Sequence, residues 1–219
     1  MYTIIYCFDA YCSWCYGMSP VINKLARSFR KQTQVEVLSG GMFLHNPPKH
    51  ISVTADYLLD TALQVEASTG VSFGKNYLWH IRHHRDSDWF PDSLKPAMAI
   101  CYLKEKQPDL QVSFAIDLQQ ALFREGRDLG DEESYRQLLV KYDIRPESFY
   151  QSLRSDHYKR MALEEFSLVK RLGVGAFPCL LLQESSTRLI LLATGYCDYM
   201  TLRESTQRAL DNIQGAIPS

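Results

Sequence analysis

Two cysteines separated by two residues lie between a run of apolar residues and a segment with helical periodicity. The apolar run, TIIYCFD, is rich in β-branched and aromatic residues, which predicts a buried strand. From Cys12 to Arg30, apolar residues recur at helical spacing, which predicts a helix. Cys12 and Cys15 are therefore expected in the first turn of a helix that directly follows a strand. This junction constrains the fold more than any other part of the chain does.

The segments on either side of a long central block predict a small sheet. QVEVLSGGM predicts the next strand, which Gly40 and Gly41 end, so the N-terminal part is predicted to be strand, helix, strand. This order is typical of a parallel pair with a right-handed crossover. Apolar runs return at residues 179–183 and 188–194, joined by the polar turn ESST, and predict a hairpin. A last helix is expected over residues 199–213.

The central block, from residue 50 to residue 172, contains no convincing strand and predicts helices. The expected helices span residues 51–68, 94–106, 110–125, 131–142, 146–154 and 157–172. Residues 70–92 are expected to form a loop with a short helix. We therefore expect an α/β protein in which residues 1–48 and 173–219 form the sheet domain and residues 49–172 form an inserted helical subdomain.

Length and composition exclude several classes of protein. The 219 residues are 46% apolar, enough for a sizeable core, so neither disulfides nor a metal is needed for folding. With 24 Lys plus Arg against 25 Asp plus Glu, the formal net charge is −1, which argues against nucleic acid as a partner. No apolar stretch is long enough for a transmembrane helix and no secretory signal is visible, so we expect a cytoplasmic protein with no membrane partner.

The position of the two cysteines suits thiol–disulfide exchange. Free N–H groups and the positive end of the helix dipole at a helix N-terminus favour the thiolate form of Cys12. Cys15, about one turn further along, is expected to be better buried and to stay a thiol. Cys12 would then attack a substrate sulfur, and Cys15 would resolve the mixed disulfide.

Other uses of the cysteine pair fit the sequence less well. A zinc site needs further ligands at matching spacing, and the other cysteines are isolated: Cys7, Cys101, Cys179 and Cys197. A c-type haem site needs a histidine after the second cysteine, where Tyr16 stands. Two structural cysteines paired by chance remain an alternative, because free cysteine is often buried.

A second motif lies far from the first in sequence. Residues 173–180, GVGAFPCL, lead into the strand predicted at residues 179–183, and proline suits a strand entry because it has no N–H for the ladder. A cis Phe177–Pro178 bond would leave the backbone carbonyl and N–H of Phe177 free for a partner chain. Taken alone, Pro178 would more commonly be trans, but the preceding C-x-x-C motif and the following strand–strand–helix pattern favour cis.

Together these motifs resemble those of the thioredoxin-fold proteins of the DsbA family. The segment DAYCSWCYG matches the pattern D-x-x-C-x-W-C-x-G, and GVGAFPCLLL stands before the last strands and helix. The chain looks most like the FrnE-like branch of predicted protein-disulfide isomerases, which lack an export signal. The resemblance implies a thioredoxin-like fold with an all-helical insertion. No cofactor and no metal are expected.

The resemblance also implies roles for individual residues. Cys12 would be the attacking cysteine, Cys15 the resolving cysteine and Pro178 the cis-proline. Phe177 would present its backbone to the substrate, which Trp14 would also contact. The family usually has Val or Thr at the position of Phe177, so its bulky ring would either narrow access to the sulfurs or add an apolar contact.

Asp9, three residues before Cys12, is a further candidate for the site. Its carboxylate could accept a proton from Cys15 or tune the pair, because a nearby negative charge raises the pKa of a thiol. The alternative is that Asp9 caps the helix or belongs to a turn.

Three other features of the sequence allow both a functional and a purely structural interpretation. Cys179 is either a third redox thiol or a small apolar residue of the core. His80, His83 and His84 have a spacing that could hold a metal, although a polar and partly exposed segment fits it better. An aromatic-rich stretch would either line a peptide-binding groove or pack in the core; it contains Phe73, Tyr77, Trp79, Trp89 and Phe90.

These observations predict a thiol–disulfide oxidoreductase of the reductase or isomerase type that acts on protein or peptide disulfides, with glutathione as an additional candidate partner. The first alternative is a glutathione-dependent isomerase or transferase similar to the kappa-class glutathione transferases and the 2-hydroxychromene-2-carboxylate isomerases. Those enzymes have a serine-type site without the paired cysteines. The second alternative is a non-catalytic binding module, which would tolerate replacement of both cysteines.

Overall fold

The structure, a computed structural model, describes residues 1–185 and 188–215. The strands are β1 (Tyr2–Phe8), β2 (Thr33–Ser39), β3 (Cys179–Gln183) and β4 (Leu189–Thr194). The α-helices in these residues are α1 (Ser13–Phe29), α2 (Ala55–Thr69), α3 (Lys75–Arg82), α4 (Leu94–Lys106), α5 (Gln111–Gln119), α6 (Arg136–Lys141), α7 (Pro146–Ser152), α8 (Asp156–Arg171) and α9 (Tyr199–Gly215). None of these helices is long and apolar enough to cross a membrane.

The four strands form one mixed sheet with the order β2–β1–β3–β4. β1 and β2 are parallel and pair along their whole length. β3 is antiparallel to both β1 and β4, so the two ends of the chain meet along the β1–β3 pair. The end of β1 lies beside the start of β3. The segment that contains Cys12 therefore lies next to the loop that contains Phe177 and Pro178.

Side chains of β1 alternate between two buried layers, because successive residues of a strand point to opposite faces. Ile4, Tyr6 and Phe8 belong to the main core, which also contains α1 and most of the helices between β2 and β3. Ile5 and Cys7 belong to a smaller core that α8 covers. A central strand buried on both faces accounts for the continuous apolar run in the sequence.

The structure confirms the α/β fold class, the parallel first pair and the terminal hairpin. Helix α4 matches its predicted range, and residues 70–92 contain one short helix, α3, as expected. The predicted ESST turn lies partly outside the described residues. The division into domains at residues 1–48, 49–172 and 173–219 stays a prediction.

Three predicted helices are not α-helical throughout. The helix expected at residues 51–68 begins with a 3₁₀ turn, Ile51–Val53, and the helix expected at residues 131–142 begins in the same way. The helix expected at residues 110–125 changes to a π-helical turn at Gln120–Arg124. Short 3₁₀ turns are common at the ends of α-helices and single π turns occur, more rarely, inside them; the spacing of apolar residues alone does not separate either from an α-helix.

A buried ion pair holds the end of β2. The Glu165 carboxylate of α8 accepts hydrogen bonds from the Lys104 ammonium at 2.7 Å and from the Ser39 N–H at 2.9 Å. Lys104 also donates to the Val37 carbonyl at 2.8 Å. The Lys104 and Glu165 side chains are only 17% and 11% exposed. Burial alone would lower the pKa of Lys104, but Glu165 raises it above its ordinary value, so the ammonium stays charged.

We expect Glu165→Gln to lower the free energy of unfolding by about 2–4 kcal/mol, because the substitution leaves the Lys104 charge largely buried without its main partner. Urea unfolding followed by circular dichroism measures the change. The matched control is Glu133→Gln, which breaks the exposed pair between Glu133 and Arg136 and should leave the unfolding midpoint unchanged. Equal decreases in the free energy of unfolding of the two variants would contradict a stabilising role for the buried Lys104–Glu165 pair.

Candidate active site

Cys12 is the N-cap residue of α1. Its backbone is extended, and its sulfur accepts a hydrogen bond from the Cys15 N–H at 3.2 Å. This contact places the Cys12 sulfur against the partly positive N–H groups of the helix N-terminus. Both cysteines are free and both lie at the start of the helix, as the sequence predicts.

Cys15 is more deeply buried than Cys12: the two residues are 0% and 4% exposed. Burial raises the pKa of Cys15 well above its ordinary value, and the neighbouring Cys12 raises it further. Tyr6 of β1 belongs to the same core layer as the pair, and burial, then Cys15 and Cys12, raise its pKa well above the ordinary value. Cys15 therefore stays protonated at neutral pH, and Cys12 is the more exposed residue of the two.

The loop before β3 brings Phe177 against Cys12. The Phe177–Pro178 bond is cis, as the two motifs together predict. The Cys12 thiol lies 3.6 Å from the Phe177 carbonyl and donates to it. The two residues are 165 positions apart, so this contact depends on the pairing of β1 with β3. Two motifs that are separate in sequence thus meet in one site.

A cavity of about 410 Å³ lies beside Cys12. Trp14 and Phe177, both expected to contact substrate, line it together with Met42. The residues of the described chain that line the cavity carry no formal charge. The cavity therefore suits an uncharged group next to a sulfur, and its lining comes from four separate segments: residues 11–14, Met42, residues 57–61 and residues 175–177.

Asp9 is a buried carboxylate held by three donors. It is 1% exposed and accepts hydrogen bonds from the N–H groups of Tyr11 at 3.0 Å and Met42 at 2.8 Å. The Ser93 hydroxyl donates a third hydrogen bond at 3.0 Å. Burial raises the pKa of Asp9, and these hydrogen bonds lower it in part. Of the two structural interpretations of Asp9, the helix cap is wrong, because Cys12 caps α1, and the turn is confirmed, because Asp9 accepts hydrogen bonds from the Tyr11 and Cys12 N–H groups of the turn before α1.

Gln119, the last residue of α5, reaches the same turn from the helices between β2 and β3. It is 1% exposed, and its amide donates to the carbonyl oxygens of Asp9 at 3.1 Å and Cys12 at 3.3 Å. The Ser19 hydroxyl donates to the Gln119 amide oxygen at 3.4 Å. Sequence reasoning missed Gln119, and the only signal was a polar residue within the apolar stretch AIDLQQALF.

Two of the other cysteines lie in the core layer on the opposite face of the sheet. Cys179 stands directly opposite Cys7 across β1 and β3, in the core layer that α8 covers, whereas Cys12 belongs to the other layer. Burial raises the pKa of Cys7 to about 12 and also raises that of Cys179. Cys101 is buried in α4, and Cys197 is half-buried after β4. These contacts favour the interpretation of Cys179 as an apolar core residue.

The histidine cluster lies in another part of the molecule. Within the described residues, no group of three or more His, Cys, Asp or Glu side chains is arranged to hold a metal. His80 instead stacks on Trp89, with the ring centroids 4.0 Å apart, and bonds to the Ser87 hydroxyl at 2.9 Å.

The aromatic-rich stretch divides between the core and the surface. Phe73, Tyr77 and Trp89 are buried, which fits the packing interpretation. Trp79 and Phe90 are exposed by about half.

The fold and the site together define a class of protein. A C-x-x-C motif at a strand–helix junction, facing a cis-proline loop on a β2–β1–β3–β4 sheet, is the arrangement of a thioredoxin-like protein. The chain belongs to the family of the DSBA-like thioredoxin domain, whose model matches residues 3–204. No curated protein matches the sequence.

Several solved structures have similar folds. A candidate protein disulfide isomerase from Nitrosomonas europaea has a TM-score of 0.81 and 23% sequence identity, over 96% of this chain and 98% of that one. The cytosolic disulfide reductase DsbM from Pseudomonas aeruginosa, also solved with GSH, has a TM-score of 0.76 and 24% identity, over 96% and 99% of the chains. A 2-hydroxychromene-2-carboxylate isomerase has a TM-score of 0.65 and 14% identity, over 99% and 100%. At such identities the likeness shows the fold.

We expect Asp9→Asn to remove one component of the pH dependence of stability. The pKa of Asp9 is raised in the folded protein, so the folded state holds this proton more tightly than the unfolded chain. The free energy of unfolding of the wild type should therefore contain a contribution that falls as pH rises from about 4 through the raised pKa. Urea unfolding at a series of pH values measures this slope.

The matched control for that experiment is Asp56→Asn, which changes an exposed carboxylate in the first turn of α2. The free energy of unfolding of this variant should depend on pH as that of the wild type does. The prediction would be contradicted if Asp9→Asn also left this pH dependence unchanged.

A second prediction concerns Gln119. Gln119→Met preserves the length of the side chain and removes both donors to the turn, so we expect the free energy of unfolding to fall by about 1–3 kcal/mol. The neighbouring substitution Gln120→Met, on an exposed side chain, is the control and should have little effect on stability. Thermal and urea unfolding of both variants provide the measurement, and a neutral Gln119→Met would show that the two hydrogen bonds are dispensable.

Proposed function

We propose that this protein is a thiol–disulfide oxidoreductase of the reductase or isomerase type, with Cys12 as the attacking cysteine and Cys15 as the resolving cysteine. One observation carries the proposal. The Cys12 sulfur lies at a helix N-terminus, 3.2 Å from the Cys15 N–H and 3.6 Å from the Phe177 carbonyl, while Cys15 is fully buried. The difference in exposure and environment supports different roles for the two sulfurs.

The proposed reaction has two steps. The Cys12 thiolate attacks one sulfur of a substrate disulfide, the substrate S–S bond breaks, and the leaving thiolate takes up a proton. Cys15 then loses its proton and attacks the Cys12 sulfur, which releases the second substrate thiol and forms the Cys12–Cys15 disulfide. The substrate disulfide gains two electrons and two protons, and the dithiol loses them. A low-molecular-weight thiol, such as glutathione, would return the pair to the reduced state.

In this mechanism Asp9 tunes the resolving cysteine. Burial has the largest effect on the pKa of Cys15 and Cys12 raises it further, whereas Asp9 acts in both directions: its backbone contact lowers the pKa of Cys15, and its side-chain charge raises it. Protonation of the Asp9 carboxylate would remove the raising part and so make Cys15 easier to deprotonate for the resolving step.

The proposed substrates are protein and peptide disulfides. The backbone of Phe177, beside Pro178, would pair with the chain on one side of the substrate cysteine, and the uncharged cavity lined by Trp14 would receive a neighbouring group. Glutathione is the second proposed partner, supported by the solved complex of DsbM with GSH. DsbM is named as a cytosolic reductase, which supports the cytoplasm as the proposed location.

A glutathione-dependent isomerase or transferase is the competing enzyme function, since a 2-hydroxychromene-2-carboxylate isomerase shares the fold. The resolving cysteine separates the two, because an isomerase of that type does not need a second thiol. A binding module needs neither thiol. Variants at Cys12 and Cys15 therefore discriminate among the three functions.

We expect the wild-type protein to catalyse the reduction of insulin by dithiothreitol or of a mixed glutathione disulfide by glutathione. Cys12→Ser should reduce turnover to the uncatalysed level, because it removes the nucleophile. Cys15→Ser should instead accumulate a mixed disulfide between Cys12 and the substrate, detected by intact-protein mass spectrometry. Redox equilibration with glutathione would give the reduction potential of the pair and hence the direction of the reaction.

The matched control is Cys197→Ser, which replaces a half-buried cysteine outside the pair and should retain turnover. Absence of turnover by the wild type would overturn the proposed function. Turnover that persists in Cys15→Ser but requires Cys12 would favour the glutathione-dependent alternative.

A further inference from the structure

The tip of the Phe177 ring rests directly on Gly40. A methyl group at Gly40 would lie 2.0 Å from Cζ of Phe177, and 2.4 and 2.7 Å from the two adjacent ring carbons. Ordinary carbon–carbon contacts are about 3.5–4.0 Å, so any side chain at this position would displace the ring tip by roughly 1.5–2 Å. Gly40 is outside the left-handed region, so the ring, and not the backbone conformation, excludes a side chain here.

The backbone at Gly40 is held in place on both sides. Its N–H donates to the Phe8 carbonyl at 2.7 Å, which continues the pairing of β2 with β1. Two residues later, the Met42 N–H donates to the buried Asp9 carboxylate at 2.8 Å. A substitution at Gly40 would therefore move the Phe177 ring and leave the backbone of this segment where it is.

The direction in which the ring can move is also limited. Phe177 packs against both hydrophobic core layers, which fill the space on its inner side. On its outer side the half-buried ring lines the cavity beside Cys12. Displacement of the ring into this cavity would narrow the approach to the Cys12 sulfur, and would also disturb the Phe177 carbonyl that contacts this sulfur at 3.6 Å.

We infer that Gly40 is a positioning residue that sets the size of the group able to reach Cys12: its lack of a side chain seats the Phe177 ring against the end of β2 and keeps the cavity open. This inference rests on the proposed function in so far as Cys12 is the reacting thiol. It also gives a reason for the large residue before Pro178, because Gly40 and Phe177 are complementary in volume.

A double-mutant cycle tests the inference with wild type, Gly40→Ala, Phe177→Val and the double variant. The reduced proteins are treated with iodoacetamide, a small reagent, and with N-(1-pyrenyl)maleimide, a large one. The rate of modification of Cys12 is followed by peptide mass mapping. Circular dichroism and thermal unfolding establish that each variant is folded, and comparison of the two reagents separates access from general reactivity.

We expect Gly40→Ala to slow the large reagent about tenfold and the small reagent by less than about twofold, an effect of the size seen for residues in direct contact. Phe177→Val should speed up the large reagent, because a smaller side chain widens the cavity. In the Phe177→Val background, Gly40→Ala should have no further effect on the large reagent, because the ring that it displaces is absent.

The inference would be overturned if Gly40→Ala slowed modification of Cys12 equally by both reagents. It would also be overturned if Gly40→Ala slowed the large reagent as much in the Phe177→Val background as in the wild type. The alkylation rates do not require turnover, so they test Gly40 even if the wild type fails to reduce disulfides. If turnover is observed, Gly40→Ala should raise KM for insulin more than it lowers kcat, and Phe177→Val should reverse the effect.

Discussion

A single buried carboxylate joins the segments on which the site depends. Asp9 lies in the turn before α1 and accepts hydrogen bonds from its own turn at Tyr11, from the exit of β2 at Met42 and from the start of α4 at Ser93. Burying a carboxylate is costly unless such donors surround it. The same contacts that make burial of Asp9 tolerable thus hold the sheet, the loop after β2 and the neighbouring helices in one arrangement around Cys12.

Much of the fold was predictable because the apolar pattern records burial directly. The run before Cys12 is continuous because β1 is covered on both faces, and α4 presents apolar residues along its whole predicted length. The local type of helix was not predictable. The π-helical turn at Gln120–Arg124 depends on how this segment packs, which the spacing of apolar residues does not record.

The residues of the candidate site also differ in how far they could be predicted from the sequence. Cys12, Cys15 and Pro178 could be proposed as site residues from sequence because their chemistry is rare: a spaced thiol pair, and a proline at a strand entry. Gln119 and Gly40 could not, because glutamine in a helix and glycine after a strand are common, and what distinguishes them is their contact with atoms more than 100 positions away. Asp9 could be predicted in part: its position three residues before Cys12 indicated a place near the pair, but the sequence did not indicate its partners Met42 and Ser93.

The contact between Cys12 and Phe177 has a consequence for the nascent chain during translation. Phe177 is added 165 residues after Cys12. At translation rates of about 5–20 residues per second, roughly 8–33 s pass between the two events. During that interval β3 does not exist, so Cys12 leaves the ribosome without the Phe177 carbonyl and ring that later lie against it. The assembled environment of the dithiol is thus a property of the finished polypeptide, and an unfinished one lacks the half of the site that Phe177 and Pro178 supply.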